Sequence, residues 1–328
     1  MFLPLTARND AVFDLMVEVQ KEWFANAEFG GKVLFLRAMK RILYLLAAVV
    51  LLAACSAPEI RVMSYNIRLG VAKDGDNAWE IRKDATPAML RDIQPAVFGV
   101  QEAYDFQIEY ILEQCPEYNA VGVGRDDGIS KGEHMSVFYN TDRLELLDWG
   151  TYWLSETPDE PSYGWDAACR RTATWTLLKD KNSRKKFYFV NTHLDHKGKL
   201  ARKNGLALIY ERIQEMNPKG LPMVLTGDFN VLPDDECLTD LETLMSSASF
   251  TAEVADTIGS FNGFGRNGYS DAAPTMDEET ILNTLWPLDY IYYKGFDKCL
   301  SFKVVTTTYN DRPFISDHYP VYADLRFQ

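Results

Sequence analysis

The run Met223-Val224-Leu225-Thr226-Gly227-Asp228-Phe229-Asn230 joins an apolar strand to an abrupt polar end. Met223 to Thr226 is short and holds β-favouring Val224 and Thr226, so it reads as a buried strand. The tail then sets a carboxylate and an amide two positions apart. If Asp228 continues the extended strand, Asp228 and Asn230 point into the same cleft. The same design recurs along the chain. Ser64-Tyr65-Asn66 ends the strand Ile60–Ile67, and Gln101-Glu102 ends Ala96–Val100. Asn191-Thr192-His193-Leu194-Asp195 ends Phe187–Thr192, Leu288-Asp289-Tyr290 opens Tyr290–Tyr293, and Ser316-Asp317-His318 precedes Val321–Leu325. Strand ends in layered α/β folds converge on one crevice, and these clusters share that position.

Strands and helices alternate outward from these clusters. Tyr118–Val123, Ser136–Tyr139, Leu144–Tyr152, Thr172–Leu178 and Phe302–Thr307 read as further strands. Trp79 to Ile93 has helical spacing, with Pro87 as a kink or restart point. A second helix is expected around Asp105–Glu113. A third spans roughly Leu200–Met216, where Leu206, Ile209, Ile213 and Met216 share one face. Lys179–Lys186 reads as a hairpin turn. Three long polar loops, Asp126–Glu133, Glu156–Ala168 and Gly259–Thr280, are placed to border a site or to be plain surface insertions. The alternation suggests two packed sheets covered by helices, but alternation alone does not separate this from a doubly wound single sheet.

The chain has 328 residues, 47% hydrophobic and 25% charged, with a formal net charge of −13. Those fractions disfavour disorder, collagen and coiled coil. The acidity disfavours non-specific binding to nucleic acid or anionic membranes. A phosphate-rich substrate then needs positive charge from elsewhere, and a metal ion is the obvious source. Five cysteines (55, 115, 169, 237, 299) are widely and irregularly spaced. That spacing shows no metal-binding pattern and fits isolated buried thiols, with disulfides the alternative if the protein is exported.

One stretch stands apart. Lys40-Arg41 precedes the uncharged run Ile42–Ala54, 54 − 41 = 13 residues, too short for an ordinary membrane span. A basic flank, a short apolar run and small residues form the layout of a secretory signal. Leu52-Ala53-Ala54-Cys55 resembles the lipobox of bacterial lipoproteins, which implies cleavage before Cys55 and lipidation of its thiol. The expected division is a non-native lead over 1–38, a signal over 39–54 beginning at Met39, and one domain over 55–328. Removing residues 1–54, with six basic and five acidic residues, shifts the charge to −13 − 1 = −14. The expected location is the bacterial cell envelope, exported and held at the membrane through the lipid anchor only.

The ordered set SYNI, VQEA, NTHLD, GDFN, LDYI and SDHYPV resembles the endonuclease/exonuclease/phosphatase superfamily, the deoxyribonuclease-I-like hydrolases, over nearly all of residues 59–328. Segments 153–158 and 171–175 look like a bacterial subgroup of it. The resemblance implies a four-layer α/β sandwich with two central mixed β-sheets flanked by helices. It also implies divalent-metal-dependent hydrolysis of phosphoesters.

Such chemistry needs charge neutralised on phosphoryl oxygens, an activated water and a stabilised leaving group. Glu102 is the best ligand for Mg²⁺ or Mn²⁺, a hard carboxylate. Asn66 is expected to bind or orient that metal through its amide oxygen, and Asp317 to close the site. By resemblance, Asp289 orients His318, which contacts the scissile phosphate or assists water activation. Asp228 aligns or deprotonates water, and Asn230 contacts phosphate. His193 is a second acid/base, paired by the same resemblance with Glu133. Arg171 supplies positive charge to the phosphate, or is a surface residue. Asp195 and His196 orient His193, contact substrate, or belong to an ordinary loop; His134 is expected to be structural. The family's basic residue before its IDYI motif is missing from Leu285-Trp286-Pro287-Leu288-Asp289, which puts a substrate contact there in doubt. Candidate substrates are nucleic acid, a lipid headgroup or a small phosphodiester, acted on by a monomer. The alternative is a non-catalytic surface binding protein on the same scaffold, which predicts decay of a polar set that is present in full.

Overall fold

Among the described residues thirteen strands build two sheets. They are β1 (Glu59–Asn66), β2 (Val97–Gln101), β3 (Tyr118–Val121), β4 (Val137–Asn140), β5 (Leu144–Trp153), β6 (Thr172–Asp180), β7 (Lys186–His193), β8 (Met223–Asp228), β9 (Ser246–Ser247), β10 (Val254–Ala255), β11 (Asp289–Lys294), β12 (Phe296–Val304) and β13 (Val321–Phe327). The computed structural model describes residues 57–266 and 287–328, with positions 17, 18, 21, 41 and 42 before them. Positions 39–40 and 43–56, most of the 1–38 lead and positions 267–286 lie outside the described residues, and with them Cys55 and part of the expected Gly259–Thr280 loop. Met1–Ala57 and Pro58–Gln328 are two separate units, and the fold is that of the second.

The sheet orders are β10-β12-β13-β1-β2-β4-β3 and β5-β6-β7-β8-β11-β9, both with parallel and antiparallel pairs. The period-2 side-chain pattern explains why two sheets form. Val62 of β1, Phe187 and Phe189 of β7, Val224 of β8 and Ile291 of β11 share one core between the sheets. Their neighbours Tyr188, Val190, Leu225 and Tyr292 point the other way, onto Leu206, Ile209 and Ile213 of the long helix Lys199–Met216. On the other sheet Met63, Tyr65 and Phe98 meet Met89, Leu90 and Ile93 of the helix Ala85–Ile93 and Ile111 of the helix Asp105–Gln114. Strands with apolar residues on both faces need cover on both faces. The result is helix, sheet, sheet, helix, which decides between the two architectures left open above.

Most elements fall within two residues of their expected bounds. The expected helix from Trp79 is two pieces, Trp79–Arg82 and Ala85–Ile93. Pro87 sits in the first turn of the second, where its missing N–H has no helical partner to lose. β12 begins six residues before the expected Phe302, because register shifts between Phe296 and Lys298 and between Cys299 and Ser301 break the alternation. Cys115, Cys237 and Cys299 are buried free thiols; Cys169 is also free but only half-buried.

Two polar groups lock the sheets where the clusters lie. Gln101 donates to the Asn191 side-chain oxygen at 2.6 Å, and Asn191 donates to the Val100 carbonyl at 2.7 Å. All three residues are fully buried. Gly99 makes room: a Cβ there would sit 2.2 Å from the Asn191 side chain.

Candidate active site

The polar clusters converge. Asn66 ends β1, Glu102 follows β2, His193 ends β7 and Asp228 ends β8. Asp228 is paired in register with both His193 and Asp289. Asp317 and His318 arrive on the segment before β13. Glu102, Glu133, Arg171, His193, Asp228, Asn230, Asp317 and His318 all line one cleft of about 590 Å³.

Asn66 is the brace of the acidic side. Its side-chain nitrogen donates to Glu102 Oε1 at 3.0 Å and to Asp228 Oδ2 at 2.9 Å. Its oxygen accepts the Arg68 backbone N–H at 3.0 Å, which fixes the amide orientation. In this arrangement the Asn66 amide aligns two carboxylates, and its oxygen faces a backbone N–H. Glu102 also accepts the Leu69 N–H at 3.0 Å, and its backbone is left-handed (φ 62°). A non-glycine residue in that region is strained, and such strain concentrates at functional sites.

Asp228 Oδ1 accepts the Asn230 N–H at 2.9 Å, closing a side-chain turn. β8 ends at Asp228 and Asn230 has φ 54°, so a turn, not continued strand alternation, brings both to the cleft. Asn230 then donates to His193 Nε2 at 2.9 Å and to the Leu194 carbonyl at 3.0 Å. Its amide protons are directed at the protein rather than held free for phosphate.

The two histidines are held differently. His318 Nδ1 donates to Asp289 Oδ2 at 2.7 Å, and its Nε2 lies 3.7 Å from Asp228 Oδ2. Burial disfavours its charged form, but Asp289 and then Asp228 outweigh that and raise its pKa to about 10. At His193, Asn230 donates to Nε2, so the proton of the neutral ring belongs on Nδ1. That Nδ1 has no hydrogen-bond partner and lies 3.9 Å from Glu133 Oε2, which has none either. Burial, with Arg171 and Arg125 nearby, pushes the His193 pKa well below its ordinary value.

Burial also raises Asp228 to about 7, against His318, and Glu133 to about 7, against Arg125. Asp317 is raised by burial and lies 3.4 Å from Arg68. Asp195 behaves in the opposite way. Its carboxylate accepts backbone N–H groups from Ala168, Cys169, Lys197 and Gly198, at 2.8–3.1 Å. Burial opposes ionisation there, but these donors and Arg171 hold its pKa well below the usual range. Its carboxylate makes no hydrogen bond to His193; it anchors the loop that carries Arg171, with Arg171 Nε at 3.5 Å. Asp195 thus supports the loop behind the site, the last of its three expected roles. His134 is buried, with its Nε2 2.9 Å from Asp105.

Two cleft arginines escaped the sequence reading. Arg68, two residues beyond Asn66, ties Asp74 to Asp317. Arg125 pairs with Glu133 from the edge of the Asp126–Glu133 loop. The visible signal was weak: one Arg follows SYNI, and the other precedes an acidic loop.

Carboxylate oxygens and histidine nitrogens gather in two groups that could hold a metal ion. Donor atoms of Glu102, His193 and Asp228 lie within 4.8 Å of one another, as do those of Asp228, Asp289 and His318. Asp317 joins neither group, although its charge and that of Glu102 repel each other. A buried and a half-buried carboxylate that repel each other suit a hard cation held by few protein ligands.

Fold and site together define a hydrolase of the endonuclease/exonuclease/phosphatase class. The chain belongs to the Endonuclease/Exonuclease/phosphatase family, which residues 63–318 match. It is similar to a Bacteroides vulgatus protein of that family: 34% identity and TM-score 0.74, over 83% of this chain and 100% of that one. It is similar to a Bacteroides thetaiotaomicron mannosyl-6-phosphatase: 33% identity and TM-score 0.73, over 82% of this chain and 100% of that one. The human Nocturnin catalytic domain, at 19% identity and TM-score 0.62 over 83% of this chain and 94% of that one, shares the fold. An uncharacterized protein of Acanthamoeba polyphaga mimivirus is 30% identical over 169 residues, 49% of this chain. The chain covers 62% of that curated relative's length.

Proposed function

We propose that this chain is a divalent-metal-dependent phosphoester hydrolase. The observation that carries the reading is the meeting of half-buried Glu102 with buried Asn66, His193, Asp228, Asp289 and His318 in one polar network, each from a different strand end or adjoining loop. Glu102 would hold the cation, with Asp228 or Asp317 beside it; Mg²⁺ suits these ligands and Mn²⁺ is the second choice. When bound, the cation supplies charge neutralisation and Lewis acidity at the phosphoryl oxygens.

The remaining work falls to the protein's own groups. Asp289 fixes His318 so that Nε2–H donates to a phosphoryl oxygen. Asp228, aligned by Asn66 and the Asn230 N–H, orients the attacking water and takes its proton. Neutral His193 lies beside Asp228 Oδ2 at 3.4 Å, and Asn230 holds its ring orientation. The similarity to a mannosyl-6-phosphatase adds phosphorylated sugars to nucleic acids, lipid headgroups and small phosphodiesters as substrates to test.

The experiment is hydrolysis of p-nitrophenyl phosphate, bis-p-nitrophenyl phosphate, sugar phosphates, nucleic acids and sphingomyelin, with Mg²⁺, Mn²⁺ or EDTA. Metal-dependent turnover absent from His318→Ala is the expected result. No turnover above that variant on any substrate would favour a non-catalytic binding protein.

The same proposal includes export and lipid anchoring at Cys55, supported by Lys40-Arg41, the 13-residue apolar run and the Leu52–Cys55 pattern. It includes translation from Met39, a mature domain over 55–328, and action as a monomer at the cell envelope. Cys55→Ala should release the protein from the membrane fraction, and retention there would contradict anchoring.

A further inference from the structure

Beside the acidic groups the cleft is lined by Arg125, Arg171 and His196. Arg171 is only 5% exposed. Its Nε faces Asp195 at 3.5 Å and its Nη2 faces His196 Nδ1 at 3.3 Å, while its Nη1 has no acceptor. Arg125 pairs with Glu133 through Nη2, and its Nε and Nη1 have no acceptor. Buried guanidinium donors without acceptors are costly, and a fork of them matches phosphate oxygens. The two arginines are not equally neutralised. Arg125 has a close carboxylate, whereas Asp195 already serves four backbone N–H groups and meets Arg171 only at long range.

We propose that Arg171, supported by Arg125, binds the second negative charge of a terminal phosphoryl group, so that the cleft selects phosphomonoesters over phosphodiesters. This rests on the phosphoester-hydrolase reading and names its substrate class. A monoester carries close to two charges at neutral pH and three non-bridging oxygens. A cation held by Glu102 would take one oxygen of such a group and His318 Nε2–H a second, so Arg171 remains for the third. A diester has one charge, two non-bridging oxygens and a second substituent. Placed the same way, it would set a neutral ester group against the buried Arg171 donors and leave them unsatisfied.

The test compares full-length wild type, Arg171→Gln, Arg171→Lys and Arg125→Gln. Each is first checked for an unchanged thermal unfolding transition. Two readouts follow: kcat/KM on p-nitrophenyl phosphate against bis-p-nitrophenyl phosphate, and calorimetric binding of inorganic phosphate against dimethyl phosphate without metal. Wild type should favour the monoester and bind inorganic phosphate more tightly. Arg171→Gln should lower monoester kcat/KM and phosphate affinity by about 10- to 100-fold and change the diester rate much less. Arg171→Lys should recover part of the loss, and Arg125→Gln should show a smaller one. Equal losses on both esters, or wild-type preference for the diester, would overturn the selectivity claim. If wild type hydrolyses neither ester, the hydrolase reading fails separately. Phosphate binding then still decides the anion subsite: binding lost in Arg171→Gln supports it, and binding unchanged in Arg171→Gln or absent from wild type overturns it.

Discussion

His193 and His318 face the same Asp228 carboxylate, at 3.4 and 3.7 Å, yet their surroundings drive them apart. His318 has a carboxylate in hydrogen-bond contact and is raised to about 10; burial first, and then two nearby arginines, push His193 well below its usual value. Glu133 lies 3.9 Å from His193 and is itself paired with Arg125, so it does not act on its ring as Asp289 does on His318. Sequence motifs make both residues a histidine beside an acid. Distance, burial and competing charge favour the cationic form of His318 and the neutral form of His193.

The largest expected effect is on the cationic side. His318→Ala should lower kcat by about 10²- to 10⁴-fold, the range for a positioned proton donor, measured by steady-state hydrolysis with saturating Mg²⁺. Asp289→Asn should cost less, and it carries a pH signature. Removing the carboxylate lowers the His318 pKa, so the alkaline limb of kcat should move to lower pH. Glu133→Gln is the matched substitution at the other histidine. Because His193 is already neutral, the loss should stay below about tenfold and the alkaline limb should not move. Equal losses in the two variants would break the comparison.

A smaller, separate effect concerns stability. Asp195 has a depressed folded pKa, so its contribution is present above the unfolded value near about 4 and is lost as pH falls below it. Asp195→Asn should lower unfolding stability at pH 7 by about 1.5–3 kcal/mol, the range for hydrogen bonds to a charged group. The gap to wild type should narrow below about pH 4 in urea melts. A gap that stays constant with pH would assign the loss to packing.

The fold was legible where alternation was regular, as in β7 and β8, whose opposite faces fill two different cores. It was not legible at β12, where bulges scramble the period, nor in the two-residue strands β9 and β10, which pairing defines and composition does not. At the site, strand-end clusters are readable because the chain marks each with a sudden polar run. Side-chain direction is not. The Asn66 oxygen turns to a backbone N–H, and Asp195 looks like a catalytic neighbour of His193 but turns its carboxylate to a loop. Arg125 and Arg68 enter the cleft from positions that carry no period.

The most direct test is a ¹⁵N-histidine NMR titration of the metal-free protein from pH 5 to 9, assigned with His193→Ala and His318→Ala. His318 should remain doubly protonated through neutral pH, while His193 stays neutral with its proton on Nδ1. Two rings titrating together near their ordinary value would contradict the account.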